Sequence, residues 1–548
     1  MTEQPVVLFG DRAILVETDD VAGAHALAAL LASRLARGEA PVGIDEVVVG
    51  FANVLVVLDA DEPDVDVVAG WVTQVAASAG ARPTRDDRQV RTHVLPVVFD
   101  GPDLAEVAAT VGHPLDRVVD GVVSADLEVA FVGFAPGFPY VTGLPPELAA
   151  VPRRATPRTS VPAGSVAIAA GFASVYPRST PGGWHLLGRT PTSLFDPDVT
   201  PHSLVAPGDR VRFTVVGDAD FADVSIATVR PLLGADGPCI EVREPGLATT
   251  VQDGGRRGCA HDGVSAAGAA DTVALALANL LVGNQSDAAA LECTASGPTL
   301  RVVGEGYLAV VGAGPGAVEV SVDGHPAPDG AVLAVNDGQV VRIGRIGLGL
   351  RAYVAVSGGL ATPVLFGSRS SDALAGLGPG PLRVGDRLAR GQPARPRGHL
   401  DPATPSSGNH RVLSVMAGPH GSPGDGLAGR TWRVGVEVDR IGVRLDPGDG
   451  PRLDAGGPRA STPMVTGAIQ VPPDGRPIVL LCDHATVGGY PVVACVVTAD
   501  LPVLGQLRPG DEVAFREVDL ATARRLAVQA RRSTASRVGG WFPTAAGT

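Results

Sequence analysis

One segment, Phe131–Asp196, constrains the fold of this chain more than any other. It contains, in order, F-V-G-F-A-P-G-F-P-Y, P-R-R-A-T-P-R, P-A-G-S-V-A-I and T-P-G-G-W-H-L-L-G-R-T-P-T-S-L-F-D. Glycine is entropically costly inside a helix and proline removes a backbone donor, so this spacing excludes ordinary helix. Apolar residues fill the gaps between them. The segment therefore predicts short strands joined by shaped turns.

Cationic and aromatic side chains lie on the predicted turns of this segment: Arg153, Arg154, Arg158, Trp184, His185 and Arg189. Loops on a rigid scaffold often carry binding residues, and a guanidinium can bind a carboxylate or phosphate with two parallel hydrogen bonds. We therefore predict substrate binding by Arg154, Arg158 and Trp184, and a catalytic role for His185. A solvated loop would also explain the arginines, and a hydrogen bond to a backbone carbonyl would explain His185 equally well.

The absence of lysine limits the chemistry further. The chain has no lysine, so all 44 residues in the combined Lys and Arg count are arginines. A P-loop uses a lysine on the phosphates, a Schiff base needs an amine, and biotin is attached to a lysine. This chain therefore carries no covalently attached biotin, and any biotin must be supplied by another chain.

Charge and cysteine content predict a soluble cytoplasmic protein. A formal charge of −14 and a pI near 5.2 oppose nucleic-acid binding, because a polyanion would be repelled from most of the surface. No apolar stretch is long enough to predict a membrane span. The five cysteines have no C-x-x-C spacing, which favours neither a disulfide framework nor a structural metal site.

Apolar periodicity predicts a mainly β fold with α/β parts. Helical patterns lie at Val21–Leu35, Val65–Ala77, Asp103–Val111 and Ala270–Leu281. Elsewhere the pattern is of short strands, as in a β-barrel with decorated loops. We predict a small N-terminal α/β domain (1–90), a first barrel (91–232), a β-rich block (238–395), a second barrel (410–520) and an Arg-rich tail (521–548).

An internal repeat supports two barrels of one kind. Gly164-Ser-Val-Ala-Ile leads to Thr180-Pro-Gly-Gly-Trp184, and P-G-D-R-V-R-F follows at Pro207. Gly467-Ala-Ile-Gln-Val leads in the same order to Thr486-Val-Gly-Gly-Tyr490, and P-G-D-E-V-A-F follows at Pro509. Generic hairpin residues could give such motifs separately, but their shared order and spacing favour a duplication.

A second set of candidate residues lies in the later blocks. The Gly-rich turn V-Q-D-G-G-R-R-G and the polar loop G-S-R-S-S-D combine carboxylates, arginines and hydroxyls. Carboxylates there could coordinate Mg²⁺ or orient an arginine, or could simply stabilise their own turns. We predict catalytic roles for Asp253, Arg369, Ser370 and Asp372, and substrate binding by Gln252, Arg256, Gln470, Asp483, Thr486 and Tyr490. The start of the Ala270–Leu281 helix, with Ser265, Gly268 and Asp271, could bind an anion or be an ordinary helix cap.

These motifs resemble a known pair of families. G-F-A-P-G-F-P-Y and P-G-G-W-H-L-L-G-R-T-P are similar to the B subunit of 5-oxoprolinase, also described as allophanate hydrolase subunit 1 and as the Kip type. The motifs at Thr249, Leu280, Gly367, Gly467 and Gly488 resemble the C subunit of 5-oxoprolinase, or allophanate hydrolase subunit 2. The resemblance implies a fused B–C protein with cyclophilin-like barrels. It also implies kinship with the carboxyltransferase part of urea carboxylase.

The resemblance implies an activity and a partner. It implies ATP-dependent opening of 5-oxoproline to glutamate, with Mg²⁺ and with a separate A subunit of the LamB/YcsF type. The alternatives are a biotin-dependent carboxyltransferase of the urea carboxylase type and a non-enzymatic regulator of a histidine kinase. Self-association is left open, and G-A-G-P-G at Gly312 is interpreted as a hairpin rather than a phosphate loop.

The chain departs from these families in three motifs. Members of the first family usually carry a His and a Tyr upstream of G-F-A-P-G-F, where this chain has Val122 and Leu127. Members of the second usually carry a Ser-Glu pair before G-A-I-Q, which here reads Ser461-Thr462. The family motif D-R-M-G becomes Asp439-Arg-Ile-Gly. If the replaced His and Glu are catalytic in relatives, the substrate or the activity differs here.

Overall fold

The N-terminal strands form a small sheet because their apolar residues alternate between two buried faces. A computed structural model describes residues 6–59, 64–79, 90–217, 237–393, 395–396, 410–424, 426–448, 450–454, 456–457 and 459–538. The first part contains β1 (Val6–Leu8), β2 (Ala13–Glu17), α1 (Val21–Ala36), β3 (Ile44–Val49), β4 (Asn53–Leu58) and α2 (Val65–Ala79). The antiparallel sheet has the order β1-β2-β4-β3. Ile14 and Val16 face the helices, whereas Ala13 and Leu15 face the opposite side.

The Gly/Pro-rich segment forms strands and turns, as the sequence predicts. This part contains β5 (Thr92–Val97), α3 (Leu104–Val111), α4 (Leu115–Val123), β6 (Leu127–Val132), β7 (Pro139–Thr142), α5 (Pro146–Ala149), β8 (Arg158–Val161), β9 (Ser165–Ala169), β10 (Phe172–Val175), β11 (Thr180–Gly182), β12 (His185–Arg189) and β13 (Arg210–Val215). The main sheet has the order β12-β9-β10-β7-β6-β13-β5. A bridge between Val98 and Arg189 brings its two outer strands together. Sequence periodicity missed α4 and α5, which are both short.

The middle part of the chain consists of two packed sheets and one helix. Its elements are β14 (Cys239–Glu244), β15 (Ala248–Gln252), α6 (Thr272–Leu281), β16 (Ala290–Thr294), β17 (Thr299–Val303), β18 (Gly306–Val311), β19 (Val318–Val322), β20 (His325–Ala327), β21 (Val332–Val335), β22 (Val340–Ile346), β23 (Arg351–Val356) and β24 (Arg387–Ala389). The sheets have the orders β20-β19-β22-β17-β14-β24 and β15-β16-β23-β18-β21. The predicted hairpin at Gly312 is wrong, because the turn joins β18 and β19, which belong to different sheets.

A closed barrel and a C-terminal helix complete the described chain. The elements are β25 (His410–Ala417), β26 (Thr431–Val438), β27 (Gly442–Asp446), β28 (Thr462–Pro463), β29 (Ala468–Gln470), β30 (Ile478–Leu480), β31 (Val487–Gly488), β32 (Val492–Val496), α7 (Leu501–Leu504), β33 (Glu512–Glu517) and α8 (Leu520–Ser536). The barrel order is β25-β32-β29-β30-β27-β26-β33. In the part of the chain that is described, no helix is long and apolar enough to span a membrane.

The two barrels have the same topology. Each strand from β5 to β13 has a counterpart from β25 to β33 with the same neighbours, and in both barrels the first and last strands pair in parallel. The small pairs β8–β11 and β28–β31 also correspond. The mainly β fold class and the tandem barrels are therefore confirmed. The predicted linker Pro231–Pro238 and the segment Gln392–His410 fall largely outside the described residues.

Contacts between distant parts of the chain join the first barrel to the second. Val487 of β31 belongs to the same apolar cluster as Phe138, Tyr140 and Trp184 of the first barrel. A Cβ on Gly133 would come within 2.6 Å of Val487 Cγ1, so only glycine allows this approach. The two halves thus share one buried cluster.

The N-terminal sheet also touches the later parts. Its Phe9 packs in one cluster with Met464 and Cys495. Glu46 accepts hydrogen bonds from the backbone N–H of His261 at 2.8 Å and of Ala260 at 3.1 Å, and its carboxylate lies 2.7 Å from His261 Nδ1. The N-terminal domain is therefore bound to both blocks that follow the first barrel.

Val487→Asp should separate the two halves or prevent their packing. A carboxylate in the aromatic cluster would lose its hydration without gaining a partner, which costs about 3–5 kcal/mol. The matched control is Val436→Asp on β26, where the side chain is 86% exposed. Thermal unfolding measures both, and equal stability of the two variants would contradict the shared cluster.

The Glu46–His261 contact should make stability depend on pH. The hydrogen bond to Glu46, which outweighs desolvation, raises the pKa of His261 above its usual value. Its stabilisation is therefore complete below about pH 6.5, the ordinary histidine value, and is lost as pH rises through the higher folded-state value.

His261→Gln should flatten this dependence, whereas His325→Gln on the exposed strand β20 should not. The measurement is the unfolding temperature between about pH 6 and 9, a range that brackets the ordinary histidine pKa and values above it. If His261→Gln leaves the slope of unfolding temperature against pH unchanged, the Glu46–His261 contact does not cause this pH dependence.

Candidate functional site

Asp253 connects the Gly-rich turn to the polar loop of the middle part. Its carboxylate accepts hydrogen bonds from Ser368 Oγ and Ser370 Oγ, both at 2.6 Å, from Arg369 N at 2.6 Å and from Gly255 N at 2.9 Å. All four donors come from these two segments. The carboxylate thereby fixes their relative position, and its predicted catalytic role stays a prediction.

Arg256 is a buried cation with unused donors. Only 3% of the residue is exposed. Nη2 donates to Ser370 O at 2.5 Å, while Nε and Nη1 are buried and have no partner among the described residues. Burial lowers the pKa of Arg256, and Asp372 is the strongest opposing charge. The side chain therefore has two N–H groups that could donate hydrogen bonds to a ligand.

Asp372 closes the other end of the same loop. Its Oδ2 accepts from Ser265 Oγ at 2.5 Å and its Oδ1 from Ala375 N at 2.8 Å. Backbone bonds between Asp372 and Leu377 close the turn that follows. The Arg369 side chain is half-buried. The structure thus brings Asp253, Arg369 and Asp372 together around one loop, a contact between two motifs that the sequence did not predict.

An ion network that the sequence analysis missed holds Asp483. Arg440 binds both Asp483 oxygens at 2.8 Å, Glu292 Oε1 at 2.6 Å and Gly268 O at 2.7 Å. Glu292 also accepts from Tyr353 Oη at 2.6 Å. Burial raises the pKa of Asp483 to about 6 against the attraction of Arg440. The motif Asp439-Arg-Ile-Gly was the available signal for Arg440.

The segment after Asp483 contributes polar atoms without partners. His484 Nδ1 lies 2.8 Å from Ala485 O, and burial lowers the pKa of His484, which favours the neutral imidazole. Thr486 Oγ1 is buried and has no partner among the described residues. Gln470 contacts Met464 Sδ at 3.3 Å, and Tyr490 is 40% exposed at the edge. Thr486 is the member of this segment with an unused hydroxyl.

Gln252 at the end of β15 and Asp271 at the start of α6 both have structural partners. Gln252 Nε2 donates to Thr250 Oγ1 and to Ser371 O, both at 3.0 Å, and its Oε1 is buried without a partner among the described residues. Asp271 caps α6 by accepting from Ala274 N at 2.9 Å, and it also accepts from Gln506 Nε2 at 2.7 Å. The cap interpretation accounts for Asp271.

The arginines of the first barrel bind an internal carboxylate. Asp103 Oδ1 accepts from Arg154 Nη1 at 2.8 Å and from Arg158 Nη2 at 2.7 Å, and Oδ2 accepts from Leu186 N at 2.7 Å. A ligand would have to compete with Asp103 for these donors. Arg154 Nε and Arg158 Nη1 are buried without a partner among the described residues, and substrate binding by Arg154 and Arg158 stays a prediction.

His185 and Trp184 lie in the interior of the first barrel. His185 Nε2 lies 3.1 Å from Pro152 O, the backbone-carbonyl contact that the sequence left open, and Nδ1 is buried without a partner in the described part of the chain. Trp184 is 5% exposed and packs edge-on against Phe138 and Tyr140. Among the described residues, no hydrogen bond or ion pair links His185 to the Asp253 loop.

Three of the departures from the family pattern are buried positions, whereas Ile441 is 40% exposed. Val122 on α4 and Leu127 on β6 are each 1% exposed in the core of the first barrel. Thr462 is buried, and its Oγ1 donates to Ala460 O at 3.1 Å and lies 3.4 Å from Asn53 Nδ2. An imidazole at Val122 would be surrounded by apolar side chains.

Two family models match the chain. The carboxyltransferase domain, subdomain A and B, matches residues 262–517, and the carboxyltransferase domain, subdomain C and D, matches residues 5–205. The chain is 34% identical over 292 residues to the C subunit of 5-oxoprolinase from Escherichia coli K12, which covers 52% of this chain and 93% of that protein.

Further relatives match the first half and a larger enzyme. Identity to the B subunit of 5-oxoprolinase from Escherichia coli O157:H7 is 52% over 122 residues, or 22% of this chain and 56% of that protein. Identity to urea amidolyase of Lachancea kluyveri is 33% over 323 residues, which covers 53% of this chain and 17% of that protein. The crystal structure of TTHA0988 aligns with a TM-score of 0.81 at 33% identity, over 92% of this chain and 99% of that one.

Arg440→Met should destabilise the site strongly. It leaves Asp483 buried without its cation and leaves Glu292 with only Arg351, whose Nε lies 3.4 Å from Oε1, which costs about 3–5 kcal/mol. Arg433→Met on the exposed side of β26 is the control and should change stability by less than about 0.5 kcal/mol. Denaturant unfolding compares them, and equal midpoints would show that the network contributes little.

Proposed function

This chain belongs to the family of the 5-oxoprolinase C subunit and has a half similar to the B subunit, and from this we propose that it is the component of a 5-oxoprolinase that opens 5-oxoproline to glutamate. We refer to residues 6–217 as the B-like half and to residues 237–538 as the C-like half; the two carboxyltransferase models match residues 5–205 and 262–517. The single observation that supports the proposal is similarity to both subunits within one polypeptide. The reaction class is hydrolysis of a cyclic amide by a complex.

The buried polar groups suit the chemistry of a cyclic amide. Opening a lactam places negative charge on its oxygen, and donors held in a water-poor site stabilise such charge. Thr486 offers a buried hydroxyl for the lactam oxygen, and Arg256 offers two buried N–H groups for a negatively charged group of the substrate. The carboxylate of Asp372 could accept a hydrogen bond from the lactam N–H. We propose these residues, with Arg369, as the groups around the substrate.

We propose that the complex uses ATP, as the resemblance implies, but the described residues of this chain do not fit Mg²⁺. No group of three His, Cys, Asp or Glu among them could hold a metal ion. Asp253 already accepts four hydrogen bonds, and Asp483 is bound by Arg440. We therefore assign no step on this chain to ATP or magnesium. A separate A subunit of the LamB/YcsF type is the proposed partner.

Carboxyl transfer from biotin is the second candidate, favoured by the similarity to urea amidolyase. The biotin would have to be carried by another chain, because this chain has no lysine. Regulation of a histidine kinase stays a prediction. No contact in the described residues favours it.

The deciding experiment mixes the purified chain with its candidate A subunit and ATP. Phosphate and glutamate are followed with and without 5-oxoproline. Equal amounts of both products, formed only in the presence of substrate, would support the proposal. Bicarbonate-dependent carboxylation with a biotinylated protein, and no glutamate, would favour the second candidate.

Arg256→Met should lower turnover more than its loss of stability explains. It removes N–H groups proposed to hold a negatively charged group of the substrate, so kcat/KM should fall by about 10-fold to 100-fold. The hydrogen bond to Ser370 O and the attraction to Asp372 are lost with the guanidinium, so the free energy of unfolding should fall by about 1–3 kcal/mol, and turnover is compared at a temperature at which both proteins are folded. Arg212→Met on the exposed side of β13 is the control for turnover. Full activity of Arg256→Met would remove Arg256 from the site.

A further inference from the structure

Arg178 reaches from the first half of the chain onto the polar loop of the second. It lies between β10 and β11, and its guanidinium rests on Gly376, where a Cβ would overlap Cζ, Nη1 and Nη2. Gly376 has φ +61°, and it belongs to the turn that Asp372 closes. The contact therefore brings an arginine of the B-like half to the candidate site.

Arg178 makes no hydrogen bond or ion pair with the described residues. Its Nε is buried and unpartnered there, although the side chain as a whole is only half-buried. Burial lowers the pKa of Arg178, and Asp372 is the charge that opposes this shift. The guanidinium is partly withdrawn from water without gaining a partner among the described residues, which leaves its N–H groups able to donate to a ligand.

Arg256 approaches the same loop from the C-like half. Its Nη2 binds Ser370 O, two residues before Asp372, and its Nε and Nη1 are unpartnered among the described residues. Arg178 and Arg256 thus contact the two ends of segment 370–376, and the Nε of Arg178 and the Nε and Nη1 of Arg256 are buried without a partner among the described residues. Two such guanidinium groups are suited to an anion with two oxygens.

We propose that Arg178 and Arg256 together bind the carboxylate of a small substrate whose neighbouring N–H donates to Asp372. The inference rests on the proposed function for the identity of the substrate, and it assigns Arg178 as a binding residue supplied by the other half. A carboxylate fits better than a phosphate, because Asp372 would repel a dianion more strongly.

The test compares binding of 5-oxoproline and of 2-pyrrolidinone, the same lactam without the carboxylate, by titration calorimetry. The chain is used alone and in complex with the A subunit. The wild-type protein should bind 5-oxoproline more tightly than 2-pyrrolidinone. Arg178→Gln should weaken 5-oxoproline binding by about tenfold to a hundredfold and leave 2-pyrrolidinone binding unchanged. Arg212→Gln should behave as wild type.

Arg178→Lys keeps the charge but not the fork, so its affinity should lie between those of wild type and Arg178→Gln. Unfolding temperatures show whether each variant is folded. Equal loss of both ligands in a folded Arg178→Gln, or no loss of either, overturns the inference. So does failure of wild type to bind any carboxylate, or displacement of 5-oxoproline by inorganic phosphate that depends on Arg178.

The inference and the proposed function can fail separately. If glutamate forms normally but Arg178→Gln still distinguishes the two lactams, the carboxylate site lies elsewhere and the function stands. If succinate or proline binds in an Arg178-dependent manner while 5-oxoproline does not, the carboxylate site stands and the proposed substrate is wrong.

Discussion

The buried attraction between Arg440 and two carboxylates positions the rest of the candidate site. Arg440 extends from the second barrel to Glu292 on a strand of the middle part, and it holds Asp483 with two bonds. Asp483 begins the segment that carries Thr486 and Val487. Charges removed from water need partners, so this network determines where the segment can lie. The loop of Asp253 therefore lies beside a segment, beginning at Asp483, whose position the Arg440 network fixes.

Elements formed by local sequence were predictable. Helix α1 follows from apolar spacing and from Asp20, whose side chain accepts a hydrogen bond from Gly23 N. The repeat of the two barrels was visible because turn residues recur in the same order, and strand pairing confirms it. Short helices such as α4 (Leu115–Val123) were missed, since two turns give little periodic signal.

Partners of side chains were much less predictable, because they depend on residues far apart in the chain. The sequence indicated Arg154 and Arg158 as candidates, but not that Asp103, about fifty residues earlier, binds them. It indicated the turn of Asp253 and the loop of Asp372 as two polar segments, but not that hydrogen bonds join them. It offered no reason to select Arg178, whose contact with Gly376 arises only when the two halves pack.

The shared cluster around Val487 has a consequence for assembly. When two subunits are separate proteins, the amount of complex depends on their concentrations and on how evenly they are produced. Here the surfaces that meet at Gly133 and Val487 belong to one polypeptide, so each first barrel has its second barrel at a high effective concentration. The ratio of the two halves is one to one by covalent structure, and a weak interface is enough to keep them together.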